Sequence, residues 1–402
     1  MLTEEEIEKL IEPIVQRQSN LSSAIIYIIA KRIKAIGDID PDSLYTIEQA
    51  LRTSTDVASI NKMITEVLQL QLIDVDNIFH IIAKDTYESS KELYYAIGRE
   101  FVNYEESIQM QRITNAIAKL TNDEFRELYK TQAFMLRNPM NPAELIPTSA
   151  SETYNNIVNE ALSDMTINPK GDYYDYIERT MKQLNESGLR TVVYHTESGK
   201  EITQRLDTAV RRNVLDGIRA VNQEIQNQVG LEIGADGVEL SIHEYPAPDH
   251  APIQGHQFTK VEYDKLQNGE PFEDVNGKKF EAIERPIGAW NCRHFAWNIL
   301  VGISPPNRTE EQLQEILDRN ERGYTTKNGK HLTMYECTQV QRQYELGIRK
   351  AIEGMNMSEI AGDMKLYSFY KTRYMRLSSE YTTFSKDCGL YMNPRRIRVL
   401  QE

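Results

Sequence analysis

Cysteine is scarce in this chain: three residues in 402, at positions 292, 337 and 388. An odd number without a CxxC pair excludes a disulfide framework and a four-cysteine zinc site, so reduced thiols are expected. Long apolar runs are also missing. The longest, Ala24–Ala30, falls far short of the roughly 20 residues a bilayer-spanning helix needs, so no membrane span is expected. The N-terminus begins Met1-Leu2-Thr3-Glu4-Glu5-Glu6, acidic where a secretory signal would be basic, which predicts a chain that stays in the cytosol where it is made. Positive charge is in deficit, with 46 Lys and Arg against 60 Asp and Glu and a net charge of −14. Nucleic-acid binding relies on Lys and Arg displacing counterions from phosphates, so any DNA contact must be local. Walker A, GxGxxG, HExxH, GxSxG and EF-hand patterns are all lacking, which removes the common signatures of nucleotide-binding proteins, metalloproteases and hydrolases.

What is present is ordinary globular composition, 40% hydrophobic and 26% charged, in a chain long enough for two or three domains. Thr3 and Glu6 have the spacing of a capping box, and Ile7, Leu10, Ile11, Ile14 and Val15 follow at helical spacing. A second helix is predicted through Ile25, Ile29, Ile33 and Ile36, stopping at Gly37-Asp38, with further helical patterns over 55–72, 75–97 and 100–133. Residues 1–136 thus read as an all-α N-terminal domain. Pro139, Pro142 and Pro147 mark a linker over 137–151, because proline lacks a helix donor and biases its predecessor away from α. Shorter helices near 150–165 and 174–187 are followed by a long helix from about 200 to 229. Its seam of Ile202, Leu206, Val210, Val214, Ile218, Val221, Ile225 and Val229 uses spacings of three and four only.

From Gly237 to His243 the pattern alternates, placing Val238, Leu240 and Ile242 on one face of a strand and Glu239, Ser241 and His243 on the other. Residues 246–306 then hold seven of the 14 prolines, five glycines and three of the seven histidines, the texture of a loop-rich module. Asn276-Gly277, between Phe272–Val275 and Lys278–Ile283, predicts a two-residue hairpin turn. Residues 152–310 therefore form a long helix plus a loop-rich α+β module, and 311–402 a helical C-terminal region. In that last region Cys337, Val340, Tyr344, Ile348 and Ile352 share a face, and a basic, Tyr-rich tail closes the chain. The expected fold class is mainly α with a smaller α+β module.

Five motifs in one order carry a family resemblance. They are Leu206-Asp207 to Arg211-Arg212; Asp236 to His243, including Glu239; and His250-Ala251-Pro252 with Gln254-Gly255. Gly288-Ala289-Trp290-Asn291-Cys292-Arg293-His294 comes next, and then Tyr335-Glu336-Cys337-Thr338-Gln339-Val340-Gln341-Arg342. Together they resemble the phage minor capsid protein 2 family, with departures at Ile253 and at Phe295-Ala296-Trp297. The resemblance implies a structural protein of a tailed-phage virion head, associated with portal and major capsid proteins, assembled in the host cytoplasm and distantly akin to Mu-type head morphogenesis proteins. It implies no reaction.

The chemistry-bearing residues allow several readings. His243, His250, Cys292 and His294 offer imidazole and thiolate, the donors zinc prefers, although their spacing matches no standard zinc pattern. The plainer reading is a hydrogen-bonded polar core that pins loops together, with Arg293 as a buried ion-pair partner for Glu239 or a carbonyl cap. A third reading makes Cys292 a nucleophile with His243 or His250 as base, in an enzymatic or ejected cargo protein of hydrolase or nuclease-like type. For packaged double-stranded DNA the candidates are Arg205, Arg212 and Arg219, which recur every seven residues, and the tail. Residues 365–402 hold eight Lys and Arg, among them Lys371, Arg373, Arg376, Arg395, Arg396 and Arg398, interleaved with tyrosines. A solvated face in the first case, and tyrosines packing a terminal helix in the second, are the ordinary alternatives.

Overall fold

The computed structural model describes residues 2, 4–37, 55–138, 140–141, 143–167, 173–195, 199, 201–289, 292 and 294–399. The capping residue Thr3 and the motif residues Trp290, Asn291 and Arg293 lie outside them. The fold is mainly α with small antiparallel sheets, in agreement with the sequence reading.

The chain opens with helix α1 (Glu4–Gly37), which is continuous where the sequence predicted two helices. Its polar middle does not break it, because those side chains find partners in the core. Ser22 Oγ accepts the Leu189 N–H at 3.0 Å, Ser23 Oγ donates to Glu353 at 3.2 Å, and Gln18 accepts from the Tyr129 hydroxyl at 2.6 Å. Helices α2 (Asp56–Glu88), α3 (Lys91–Ala96) and α4 (Ile108–Lys130) follow. In α4, Ser107 caps the N-terminus by accepting the Met110 N–H.

The segment expected as a linker overlaps a hairpin, β1 (Phe134–Arg137) with β2 (Leu145–Thr148). Helices α5 (Ala150–Ile167) and α6 (Tyr173–Ser187) and the hairpin β3 (Arg190–His195) with β4 (Glu201–Arg205) lead into α7 (Leu206–Ile233). Gly234, in the left-handed conformation at φ 68°, caps the C-terminus of α7. This helix packs against α1, α2 and α4. One continuous apolar core therefore contains Ile11 of α1, Phe79 of α2, Phe125 of α4 and Val214 of α7, and reaches Tyr370 near the C-terminus. Residues on both sides of 137–151 contribute to it.

The small module is built on the sheet β6 (Gln257–Thr259), β5 (Gly237–Leu240), β9 (Ala296–Ile299), in that spatial order and antiparallel throughout. Central β5 is paired on both edges, and all four of its residues are buried, with Gln257 and Asn307 covering Glu239. Glu239 and Ser241, on the face opposite Val238 and Leu240, are buried as well. Helix α8 (Lys260–Gln267) and the hairpin β7 (Phe272–Glu273) with β8 (Lys279–Phe280) complete the module. The Asn276-Gly277 turn sits within a five-residue loop instead of a two-residue one. Asp274 Oδ1 accepts from the N–H groups of Asn276 and Lys278, both at 2.9 Å, which stabilises the longer turn. The chain ends with α9 (Glu310–Arg322), the two-residue pair β10 (Tyr324–Thr325) and β11 (His331–Leu332), α10 (Met334–Ala361) and α11 (Met364–Asp387). Thr333 and Glu336 form a full capping box on α10.

A buried ion network joins the start of α7 to α10. Arg205 approaches Asp207 at 3.5 Å and Glu353 at 3.4 Å, while Arg349 reaches Asp207 at 2.9 Å. Burial alone would raise the Asp207 carboxyl, but Arg205, Arg349 and the Thr208 amide outweigh it and hold its pKa below the usual value. A carboxyl depressed on folding contributes stability that is present above its unfolded pKa, about 3.9, and lost as pH falls through the lower folded value. Asp207→Asn is expected to destabilise the chain at neutral pH by about 3–5 kcal/mol by stranding buried positive charge. It should also flatten the acid limb of stability against pH, both measured by urea unfolding.

Candidate functional site

Three of the four candidate metal ligands come together inside the small module. Cys292 Sγ lies 3.4 Å from His250 Nδ1 and 3.7 Å from His294 Nδ1. All three residues are buried, at 0% exposure for His250, 5% for Cys292 and 3% for His294. The ring of the fourth, His243, packs edge-on against His294 with centroids 4.2 Å apart. It does not belong to the converging set, whose ligand atoms lie within 4.8 Å of one another.

Local chemistry fixes each ring. His250 Nε2 is 2.7 Å from the carbonyl oxygen of Arg285, so that nitrogen carries the proton it donates and Nδ1 faces the sulfur. The Arg285 side chain is itself held by Asp249 through Nε at 2.7 Å and Nη2 at 2.9 Å. On the other side His294 Nε2 faces Gln254 Oε1 at 3.5 Å, and the same oxygen accepts the His243 N–H at 2.9 Å. Burial alone would push the Cys292 thiol up, but His250 and the backbone of Gly288 and His294 hold it below its ordinary value. Burial alone would lower the His250 imidazole. Cys292, the Arg285 carbonyl and Asp249 raise it instead.

The module is fastened to α7. Asn298 of β9 makes the join: its N–H and its Nδ2 donate to Gln226 Oε1 at 3.1 and 3.0 Å. A Cβ on Gly230 would come within 2.4 Å of the Asn298 Oδ1. Gly288, at φ +87°, lies against Arg219, and a Cβ there would come within 2.4 Å of the guanidinium. Glu239 anchors the loop before α9, accepting from Gln257 Nε2 at 2.8 Å and from Asn307 Nδ2 at 2.7 Å.

The remaining motif residues are dispersed. Arg212 is half-buried on α7, and Gln339 and Arg342 are half-buried on α10, where Gln339 Nε2 donates to Thr338 Oγ1 at 3.3 Å. Among the DNA candidates, Arg205 must be corrected. It is 6% exposed and neutralised by Asp207 and Glu353, so no phosphate reaches it. Arg219 packs on Gly288, and Arg396 faces Glu8 at 3.6 Å and Glu345 at 3.7 Å. Arg373 is half-buried, whereas Lys371, Arg376, Arg395 and Arg398 are exposed. Of the interleaved tyrosines, Tyr370 and Tyr381 pack into the core and Tyr391 is 80% exposed.

The sequence reading missed Asp249 and Arg285, which orient His250. The adjacency of Asp249 to His250 was the available signal, since a carboxylate beside a buried histidine is a common orienting arrangement. Arg285 gave none. Its role depends on a contact 36 residues away in sequence.

The sequence profile described as Phage minor capsid protein 2 matches residues 2–384. The chain belongs to the phage minor capsid protein 2 family. This minor capsid protein is accordingly a structural component of a bacteriophage virion head. Among curated proteins and among solved structures, none matches it. Among the described residues of this minor capsid protein, no helix is long and apolar enough to cross a membrane.

Gln254 ties together two histidine-bearing segments from a position only 2% exposed. Gln254→Ala leaves the His243 amide without that acceptor, at a typical cost of about 1–3 kcal/mol. The urea midpoint is expected to fall accordingly, with an unchanged slope.

Proposed function

We propose that this minor capsid protein is a low-copy part of the head near the portal vertex. Its helical body docks on portal and major capsid proteins during assembly in the host cytoplasm, and its C-terminal end touches packaged double-stranded DNA. The observation that carries the structural reading over the enzymatic one is the burial of the His250–Cys292–His294 cluster. A nucleophile must meet its substrate within hydrogen-bond reach of its base, and side chains with 0–5% exposure in a closed core offer no such approach.

Support for DNA contact is local. Lys371, Arg376, Arg395 and Arg398 are exposed, on α11 and the short 3-10 turn Pro394–Ile397 with its flank. A chain with a net charge of −14 gains phosphate affinity only where such cations stand apart from its carboxylates. Arg376 is partly offset by Glu380 at 4.0 Å. The contact proposed is therefore backbone neutralisation by a few side chains, without sequence readout.

Quantitative mass spectrometry of intact heads, DNA-free heads and material released on genome ejection tests this function. A fixed low copy number retained in the DNA-free head is expected. Release with the genome would establish the cargo reading instead, and absence from virions would overturn both. For the DNA arm, salt-titrated binding of the purified chain should weaken in a variant with Lys371, Arg376, Arg395 and Arg398 all changed to Ala. Its slope of log affinity against log salt should drop by about 0.9 for each phosphate that the variant no longer neutralises. An unchanged slope would remove DNA contact from the proposal.

A further inference from the structure

We propose that His250 Nδ1, Cys292 Sγ and His294 Nδ1 hold a zinc ion that ties the loops of the small module to one another. The separations are those of ligands around a common centre. With Zn–N about 2.0–2.1 Å and Zn–S about 2.3 Å in a tetrahedral site, the nitrogen-to-sulfur distance is about 3.6 Å. The two observed values, 3.4 and 3.7 Å, bracket it.

The tautomers agree with ligation. A metal-bound histidine characteristically gives its other ring N–H to a carbonyl or carboxylate, which fixes the ring and raises its basicity. Here His250 Nε2 faces the Arg285 carbonyl and His294 Nε2 faces the Gln254 carbonyl, so the Nδ1 lone pairs of both rings are directed at the sulfur. Gln254 Oε1 stays outside the ligand set because it is already engaged by the His243 N–H. Imidazole and thiolate donors favour zinc over calcium or magnesium, which take oxygen ligands.

The module also has a physical need for such a tie. Among the described residues its apolar cluster has nine buried members, Cys292 among them, and its strands run two to four residues. Small cores of this size are commonly reinforced by a metal or by disulfides, and the second device is not available to a lone Cys292. The other cluster of potential ligands, His256, Asp274 and Glu310, is a poorer candidate. There the Lys278 ammonium already stands 3.2 Å from His256 Nε2 and 3.6 Å from Glu310, supplying the positive charge.

The test is plasma emission analysis of the full chain purified without chelator. About one zinc per chain is expected, retained in Cys337→Ser and lost in Cys292→Ser and His250→Asn. Because a site variant could fail to fold, the wild-type chain is also exchanged into cobalt. A thiolate-to-cobalt charge-transfer band is expected, along with a fall in Tm when metal is removed by chelation. A folded wild-type chain with neither stoichiometric zinc nor the cobalt–thiolate band overturns the proposal. So does a folded Cys292→Ser protein that keeps its zinc.

Discussion

The burial of α7 is the constraint on which the rest of the molecule depends. Half of its 28 residues are buried, more than one stripe can account for, so neighbours must cover it on several sides. Val210, Val214, Val221, Ile225 and Val229 all have 0% exposure, and burying each contributes about 1.5–3 kcal/mol. The neighbours approach closely where α7 has glycine. A Cβ on Gly217 would come within 2.4 Å of the Phe79 ring of α2 and 2.6 Å of Thr121 of α4, while Gly230 makes room for Asn298 of the small module. One helix thus serves as the floor of the helical body and the mount of the Cys/His module.

Polar groups decide the register of these contacts. Thr86 donates to Asn222 at 2.5 Å across α2 and α7, and Gln226 binds Asn298 across α7 and β9. The Arg205–Asp207–Arg349–Glu353 network fixes the start of α7 against α10. Such buried groups add little net stability when satisfied, but each is costly when its partner is removed, which penalises alternative packings. For a head protein that must present a defined surface to its neighbours, that penalty on alternatives is the useful property.

Local patterns were legible in the sequence, and long-range ones were not. The seam from Ile202 to Val229 showed the helix and its buried face, because a 3.6-residue period needs no knowledge of the partner, but it ran too far back: Ile202 lies in strand β4 and the helix starts at Leu206. The alternation at Gly237–Leu240 showed a strand and set Glu239 on the face opposite Val238 and Leu240, but not what covers that face. It is covered by the Gln257 side chain and by Asn307 of a loop 68 residues away. In the same way the seven-residue spacing of Arg205, Arg212 and Arg219 suggested one basic stripe, while Arg205 precedes the helix and is neutralised by Glu353, 148 residues away. On α10 the buried positions include Cys337, Gln341, Glu345 and Ile348, with Val340 and Tyr344 only half-buried. Gln341 is satisfied in the core by donating to Ser385 and to the Tyr391 carbonyl, both at 3.0 Å. His250 and Cys292 converge across 42 residues that include β6, α8, β7 and β8; their donor chemistry marked them in the sequence, whereas no spacing rule for zinc or for a catalytic dyad predicts the contact.

The chemistry-bearing cysteine of this minor capsid protein is buried among His250 and His294, and that burial is central both to the structural role and to the proposed zinc site. Time-resolved iodoacetamide labelling of the native full chain, read residue by residue, tests it most directly. Cys292 should remain unmodified under conditions in which the urea-unfolded chain is fully labelled, in step with the fully buried Cys337. Rapid, selective alkylation of Cys292 in the native protein would contradict the claim and mark an open, reactive site.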